Sequence, residues 1–315
     1  MIYAIENAAF NAANLTDIDL IISSSGYEER CRYIPSKLNN FAINAQATLA
    51  VVVLESREPS EQQKKNQEFF DQNGYTNLTT TSLERSNILE TFYSLLSSNA
   101  THHRIVVDYS CMTRNLYAEL IYFFNSLSES KKIRIDVNFC YAYGRYKSKI
   151  QPKIVKDYVL LPGYEGVGSQ IKSKHCIYSL GFEGVLVESL HEWLEPSSQD
   201  FILANPGASQ GSADRCYSIN KDFIERNSGN LYQVAISDVP KLTRLIADKA
   251  KYLSETLDVI YVGLGPKPFV LAGLLAGLNN MNLANIYAMG RESVEVDVAP
   301  SGVILNTHVR FDYKY

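Results

Sequence analysis

Four short strings in the first half of this 315-residue chain return, in the same order, in the second. Ser25–Arg30 (SGYEER) answers Leu180–Val185 (LGFEGV), with the glycines 155 positions apart. Asn66–Asn73 (NQEFFDQN) answers Asn220–Asn227 (NKDFIERN) at an offset of 154. Val106–Leu120 (VVDYSCMTRNLYAEL) lines up with Tyr261–Leu275 (YVGLGPKPFVLAGLL) at nearly the same spacing, and Tyr141–Arg145 (YAYGR) with Tyr287–Arg291 (YAMGR). Order and spacing together read as an internal duplication, so the chain is expected to fold as two copies of one unit.

Each copy alternates short apolar runs with amphipathic stretches. The first half gives strands at DIDLIISSS, ATLAVVVLE, TNLTTTSL, HRIVVDYS and IRIDVNFCYAYG, with helices between them. The second runs from HCIYSLG through DFILANPG, YQVAIS and DVIYVGLG to ANIYAMG. Continuous Ile/Val/Leu runs are what a parallel sheet covered on both faces requires. The expected fold class is α/β: two tandem, internally duplicated Rossmann-like parallel-sheet units in a pseudo-two-fold relationship. The bounds expected are 1–162 for the first unit, a Gly/Ser-rich linker at 163–174, and 175–315 for the second, with VKDYVLLPG and THVRFDYKY closing their respective units.

In such sheets ligands bind beyond the carboxyl ends of the strands, where the winding reverses. The loops that meet there are the ones richest in polar and small residues. In the first unit they carry Ser24, Ser25 and Gly26 on one side and Asp108, Ser110, Thr113 and Arg114 on the other, with Ser23, Glu28, Glu29, Arg30 and Asn115 nearby. In the second they carry Gly181, Gly263, Gly265 and Lys267, with Ser179 and Glu183. Helix N-termini, close-approach glycines and one cation per unit suit a phosphate-bearing ligand. Each residue also has a plainer use. Ser110 or Thr113 serves as a helix cap, Asp108 bonds within its own loop, and Lys267 sits in a solvated turn. Glu28 and Glu29 suit a helix start electrostatically, and Tyr27 and Phe182 are packing residues or base-stacking platforms.

Other chemistries find little support. GLGPK lacks the spacing of a Walker A loop, Ser110 lacks the GxSxG elbow, and Tyr117 stands where a Cys-to-Arg phosphatase loop needs its arginine. The five histidines form no HExxH motif or close cluster, so no metal is expected, and no cofactor. Five scattered cysteines, an odd count without a CxxC pair, argue against a disulfide framework. A net charge of −4 argues against a protein that coats nucleic acid. The one basic stretch (Arg145, Lys147, Lys149, Lys153, Lys156) could collect an anionic ligand or touch nucleic acid, or be a solvated face. MIYAIENAAF lacks the basic region of a signal peptide, and the apolar run Phe269–Leu278 is about half a membrane span, so a cytoplasmic location without membrane contact is expected.

The strand ending in Asp108, followed by a hydroxyl/Thr/basic loop that opens a helix (DYSCMTR), resembles the ligand-binding signature of CARF domains. These are Rossmann-like sensors of cyclic oligonucleotides in prokaryotic antiviral defence. Two such units in one chain resemble the SAVED arrangement. The resemblance implies a nucleotide-binding sensor of a cyclic oligonucleotide or similar phosphorylated ligand, held by Asp108, Ser110, Thr113, Arg114, Ser24, Ser25 and Gly26. Ser110-Cys111 or Cys111-Met112 replaces the family's glycine pair, and the second unit has GLGPK without the Asp. No RxxxxH ribonuclease motif or restriction-type carboxylate–lysine set is fused. Output would therefore pass through an effector protein partner or through cleavage of the ligand; the second reading is an enzyme that cleaves or modifies a nucleotide or phosphosugar, as a phosphodiesterase or ring nuclease would. A non-catalytic scaffold subunit of a defence complex is the third reading.

Overall fold

The structure, a computed structural model, describes residues 2–41, 47–54, 59–80, 85–96, 100–145, 155–161, 163–168, 172–290 and 297–313. Most of the basic stretch after Arg145, and Arg291, lie outside the described residues.

The chain divides into two compact units, Met1–Tyr146 with Glu295–Tyr315, and Lys147–Val294. In the first, the parallel strands are β2 (Leu20–Ser25), β3 (Thr48–Leu54), β4 (Thr76–Thr80), β5 (His102–Asp108) and β6 (Arg134–Gly144). Helices α1 (Tyr33–Asn40), α2 (Glu61–Gln72), α3 (Arg85–Leu95) and α4 (Arg114–Lys131) connect them, with a 3-10 turn at Glu29–Arg32 before α1. In the second, β8 (Lys174–Ser179), β9 (Ser198–Ala204), β10 (Gly229–Val234), β11 (Asp258–Gly263) and β12 (Leu283–Gly290) alternate with α5 (Gly184–Leu194), α6 (Ser212–Arg226), α7 (Val239–Leu253) and α8 (Lys267–Leu278).

Local chemistry explains these elements. All six residues of β2 are buried, which accounts for its unbroken apolar-then-serine run. Ser60 and Gln63 close a capping box at the start of α2, and Asp238 caps α7 through the Lys241 N–H. The apolar run Phe269–Leu278 is the body of α8, whose Phe269, Leu271, Leu274 and Leu275 are fully buried. A helix apolar on every side is a core helix, each such side chain contributing roughly 1.5–3 kcal/mol. Among the described residues no helix is long and apolar enough to cross a membrane.

Both sheets place their parallel strands in one spatial order. Strand β2 pairs with β3 on one side and β5 on the other, and β8 pairs with β9 and β11 in the same way. Counted along each unit, the order is 3-2-1-4-5, with the winding reversing between β2 and β5 and between β8 and β11. The fold is thus α/β with two mainly parallel, Rossmann-like sheets, as the repeat predicts.

The antiparallel edges depart from the sequence expectation. The strand after β6, β7 (Val155–Leu160), pairs with β12 in the second sheet. The C-terminal strand β13 (Pro300–Phe311) pairs with β6 in the first, and β1 (Ile2–Ala8) lies outside it. Each closing strand therefore completes the other unit, in contrast to the tandem bounds 1–162 and 175–315. The stretch read as a linker is also built into the second unit. Tyr164 is buried, and Gly166 (φ +69°) passes so close to Ala284 that a Cβ would overlap its backbone nitrogen.

Candidate functional site

The duplicated strings hold the duplicated loops in place. Asn66, on α2, donates through Nδ2 to the carbonyls of Gly26 (2.7 Å) and Glu28 (2.9 Å). Asn220, on α6, donates to the carbonyls of Gly181 (2.9 Å) and Cys216 (2.8 Å). Both asparagines are buried. At the far end of the same helices Asn73 donates to the Phe69 carbonyl (2.7 Å) and Asn227 to that of Phe223 (2.8 Å). The repeat is therefore a repeat of function in folding: one asparagine anchors the loop at the switch point, the other closes the helix.

In the first unit Ser24 and Ser25 end β2, Gly26 follows it, and all three are buried. The Gly26 N–H donates to Cys31 Sγ at 3.4 Å. The Ser24 hydroxyl has no hydrogen-bond partner among the described residues although Ser24 is only 2% exposed. Across the switch point, Asp108 ends β5 and is also 2% exposed. Its Oδ1 accepts from the Ser110 N–H at 3.0 Å. Its charge adds to burial in pushing up the Tyr75 hydroxyl and the Cys140 thiol. Ser110 Oγ accepts from the Ala142 N–H at 2.8 Å, where β6 continues past its last pairing with β5. Thr113, exposed, caps α4 by accepting from the Leu116 N–H at 3.3 Å. Arg114 is the first residue of α4 and is half-buried.

The plainer uses of Asp108 and Thr113 are thus realised, while Ser110 holds β6 and does not cap the helix. Arg30 is not part of an open wall either. It is 3% exposed and paired with Glu28. It donates to Tyr141 Oη and the Ala142 carbonyl, each at 3.2 Å, and lies over the Tyr141 ring. Arg30 and Ser110 together satisfy both backbone groups of Ala142, which pins the two loops to β6. Glu29, exposed, donates its backbone N–H to Asp297.

The second unit uses its small residues differently. A Cβ on Gly181 would overlap the carbonyl oxygen of Leu264, and one on Gly265 would overlap Ser179 Oγ. Ser179 Oγ already accepts from the Gly265 N–H at 3.0 Å. The glycines let the β8 and β11 loops pack backbone against backbone, whereas Gly263 would make ordinary contact with Val270. Lys267 is the first residue of α8, matching Arg114 by helix position. The α8 N-terminus offers few donors. Pro268 has none, and the Phe269 and Val270 N–H groups turn back to Pro266 O at 2.8 and 3.3 Å. The first turn of α4, by contrast, carries an N–H on both Arg114 and Asn115. Phe182, half-buried, packs beneath Arg215, whose guanidinium lies 5.3 Å from the ring centroid.

The amino edges hold the other ionic groups. Asp136 receives hydrogen bonds from His102 (2.7 Å), Arg134 (2.8 Å) and Arg310 (3.0 Å), with His308 at 3.2 Å. Burial alone would raise its carboxyl, but the bonds from His308, Arg134, Arg310 and His102 hold it far below the usual carboxylate range. Asp200 is similarly depressed against burial by His175, Lys249 (2.7 Å) and Asn230. A cavity of about 210 Å³ opens at the amino edge of the second sheet, between Gly166, Lys174, Asp258 and Ala284, away from the switch point. Among the described residues no three His, Cys, Asp or Glu side chains converge as metal ligands would.

No family model and no curated protein matches the chain. Among solved structures, it is similar to a functionally unknown protein from Pseudomonas aeruginosa PAO1, at 11% identity, 87% of this chain, 93% of that one and a TM-score of 0.25. The cytoplasmic domain of a prokaryotic cation chloride cotransporter matches at 11% identity over 88% of this chain and 98% of that one, TM-score 0.25. A candidate universal stress protein from Pseudomonas aeruginosa UCBPP-PA14 matches at 11% identity over 87% and 94%, TM-score 0.25. At such scores these likenesses carry no argument about what this chain does.

Proposed function

We propose that the first unit binds a phosphate-bearing ligand at the switch point between β2 and β5. The observation that carries this reading is the buried, unpartnered hydroxyl of Ser24 at the end of β2, across from the N-terminus of α4 with Arg114 in its first turn. An unpaired buried hydroxyl costs roughly 1–3 kcal/mol unless something completes it. A phosphate oxygen accepts from such a hydroxyl, and a helix N-terminus with a guanidinium favours the same anion. Gly26, with its carbonyl anchored by Asn66, leaves the chain slim where the ligand would approach. Asp108, Ser110 and Thr113 act as positioning residues for this loop.

By the likeness of DYSCMTR to the CARF signature, the ligand is a nucleotide, and the specific candidate is a cyclic oligonucleotide. The protein then acts as a sensor that reports to an effector partner in prokaryotic defence. Gly181, Gly263, Gly265 and Lys267 have the weaker claim, since Gly181 and Gly265 are consumed by loop packing. A thermal-shift panel of linear nucleotides and cyclic di-, tri- and tetra-adenylates tests the reading. A rise in melting temperature with at least one nucleotide, abolished in Ser24→Val, supports it, and a flat panel refutes it. Recovery of the stabilising ligand intact after prolonged incubation separates a sensor from an enzyme.

A further inference from the structure

Two of the five cysteines meet at this crevice, one from each wall. Cys31 lies in the 3-10 turn Glu29–Arg32 that follows the β2 loop, and Cys111 lies in the loop between Ser110 and Thr113. Both belong to the same apolar cluster, Cys31 within it and Cys111 packed against it, so the two side chains are neighbours. Cys31 is 1% exposed and Cys111 is half-buried. The other three cysteines (Cys140, Cys176 and Cys216) are buried.

We infer that Cys31 and Cys111 form a reversible disulfide under oxidising conditions, and that this bond narrows the crevice between the β2 and β5 loops and weakens ligand binding there. The regulatory half rests on the reading given under Proposed function. With hydrogen peroxide as oxidant, the two thiols lose their hydrogens and one S–S bond forms. The O–O bond of the peroxide breaks, and its oxygens leave as two waters. A disulfide of about 2.05 Å holds its two Cα atoms about 4.4–6.8 Å apart, so the bond fixes the spacing of the two loops. The change also reaches Gly26, whose N–H is held by Cys31 Sγ. Burial, and then the hydrogen bond with Cys31, hold the Cys111 thiol well above its usual range. The resting state is therefore the dithiol, and oxidation should quicken as pH rises.

The full chain is treated with hydrogen peroxide, free thiols are blocked with N-ethylmaleimide, and the digest is mapped by mass spectrometry. Nucleotide titrations are then run on the reduced protein, the oxidised protein and Cys111→Ala, which leaves the Gly26–Cys31 bond in place. The expected results are a Cys31–Cys111 linked peptide that dithiothreitol removes, about tenfold weaker nucleotide binding after oxidation, and no oxidant effect in Cys111→Ala. Absence of that link, or a link through other cysteines in its place, overturns the pairing. Equal affinity in the two redox states overturns the regulation but leaves the binding site standing. If the reduced protein binds no nucleotide, the crevice reading fails and the regulation with it, while the mapped disulfide still judges the thiol chemistry.

Discussion

The two switch points share a frame and differ in filling. Asn66 and Asn220 hold the loops after β2 and β8 from the same helical position, and both sheets reverse their winding at the same place. In the first unit, that frame surrounds a buried, unpartnered hydroxyl and a helix start bearing Arg114. In the second, Gly181 and Gly265 let the loops collapse onto each other, and proline removes a donor from the helix start. One scaffold thus carries two different fillings, and in the second copy the glycines are used for loop packing. A glycine-rich loop before a helix is not by itself a phosphate site.

The largest effect that can break this comparison is steric. Gly181→Ala drives a Cβ into the Leu264 carbonyl, a backbone atom that cannot swing away. A loss of about 3 kcal/mol is expected, read as a lower midpoint in urea unfolding. A variant as stable as the parent would mean that the second crevice is open after all.

Next come the anchors. Asn66→Ala strands the Gly26 carbonyl, while the Glu28 carbonyl keeps the Cys31 N–H, and Asn220→Ala leaves the Gly181 carbonyl with Cys216 Sγ alone; each costs about 1–3 kcal/mol. The two should be alike in stability but unlike in function: Asn66→Ala lowers nucleotide affinity by freeing the Gly26 loop, and Asn220→Ala leaves it unchanged. Calorimetric titration of both variants separates these outcomes.

The buried carboxylates supply one comparison per unit. Asp136 and Asp200 are both held below the usual carboxylate range, so the folded state binds its protons less readily than the unfolded chain. Their stabilisation is complete above the ordinary carboxylate pKa of about 4 and fades as pH falls through and below it. Asp136→Asn and Asp200→Asn should each flatten part of the acid limb of a stability–pH curve, and an unchanged limb in either would show that its ion pairs contribute nothing. The smallest effect is that of Thr113→Ala, about 1 kcal/mol for a lost N-cap, visible as a small downward shift in unfolding midpoint.

Much of the fold was legible because its signals are local. The apolar runs that became β2, β3, β5, β8 and β11 are buried between helices, and Thr113 announces the helix it caps. The exchanged edges were not legible. Strands β7 and β13 follow the units they were expected to close, and nothing in their own residues says which sheet edge they will join. The candidate site was half legible. Position along the fold placed these loops at the switch point, whereas the backbone bond of Ser110 and the close packing of Gly265 were not legible, because backbone satisfaction, close packing and ligand contact use the same residue types. Arg30 shows the same limit, since only the structure reveals that its charge is spent on Glu28 and its other donors on β6. The asparagines were visible as repeats, yet their task emerges only when Gly26 and Gly181 are seen beneath them.

The central claim, that the first switch point and not the second takes the ligand, is tested most directly by paired substitutions at the two matching helix starts. Calorimetric titration of the nucleotide that stabilises the parent protein should show at least a tenfold loss of affinity in Arg114→Ala and parental affinity in Lys267→Ala. The reverse pattern, or equal binding by both variants, would contradict it.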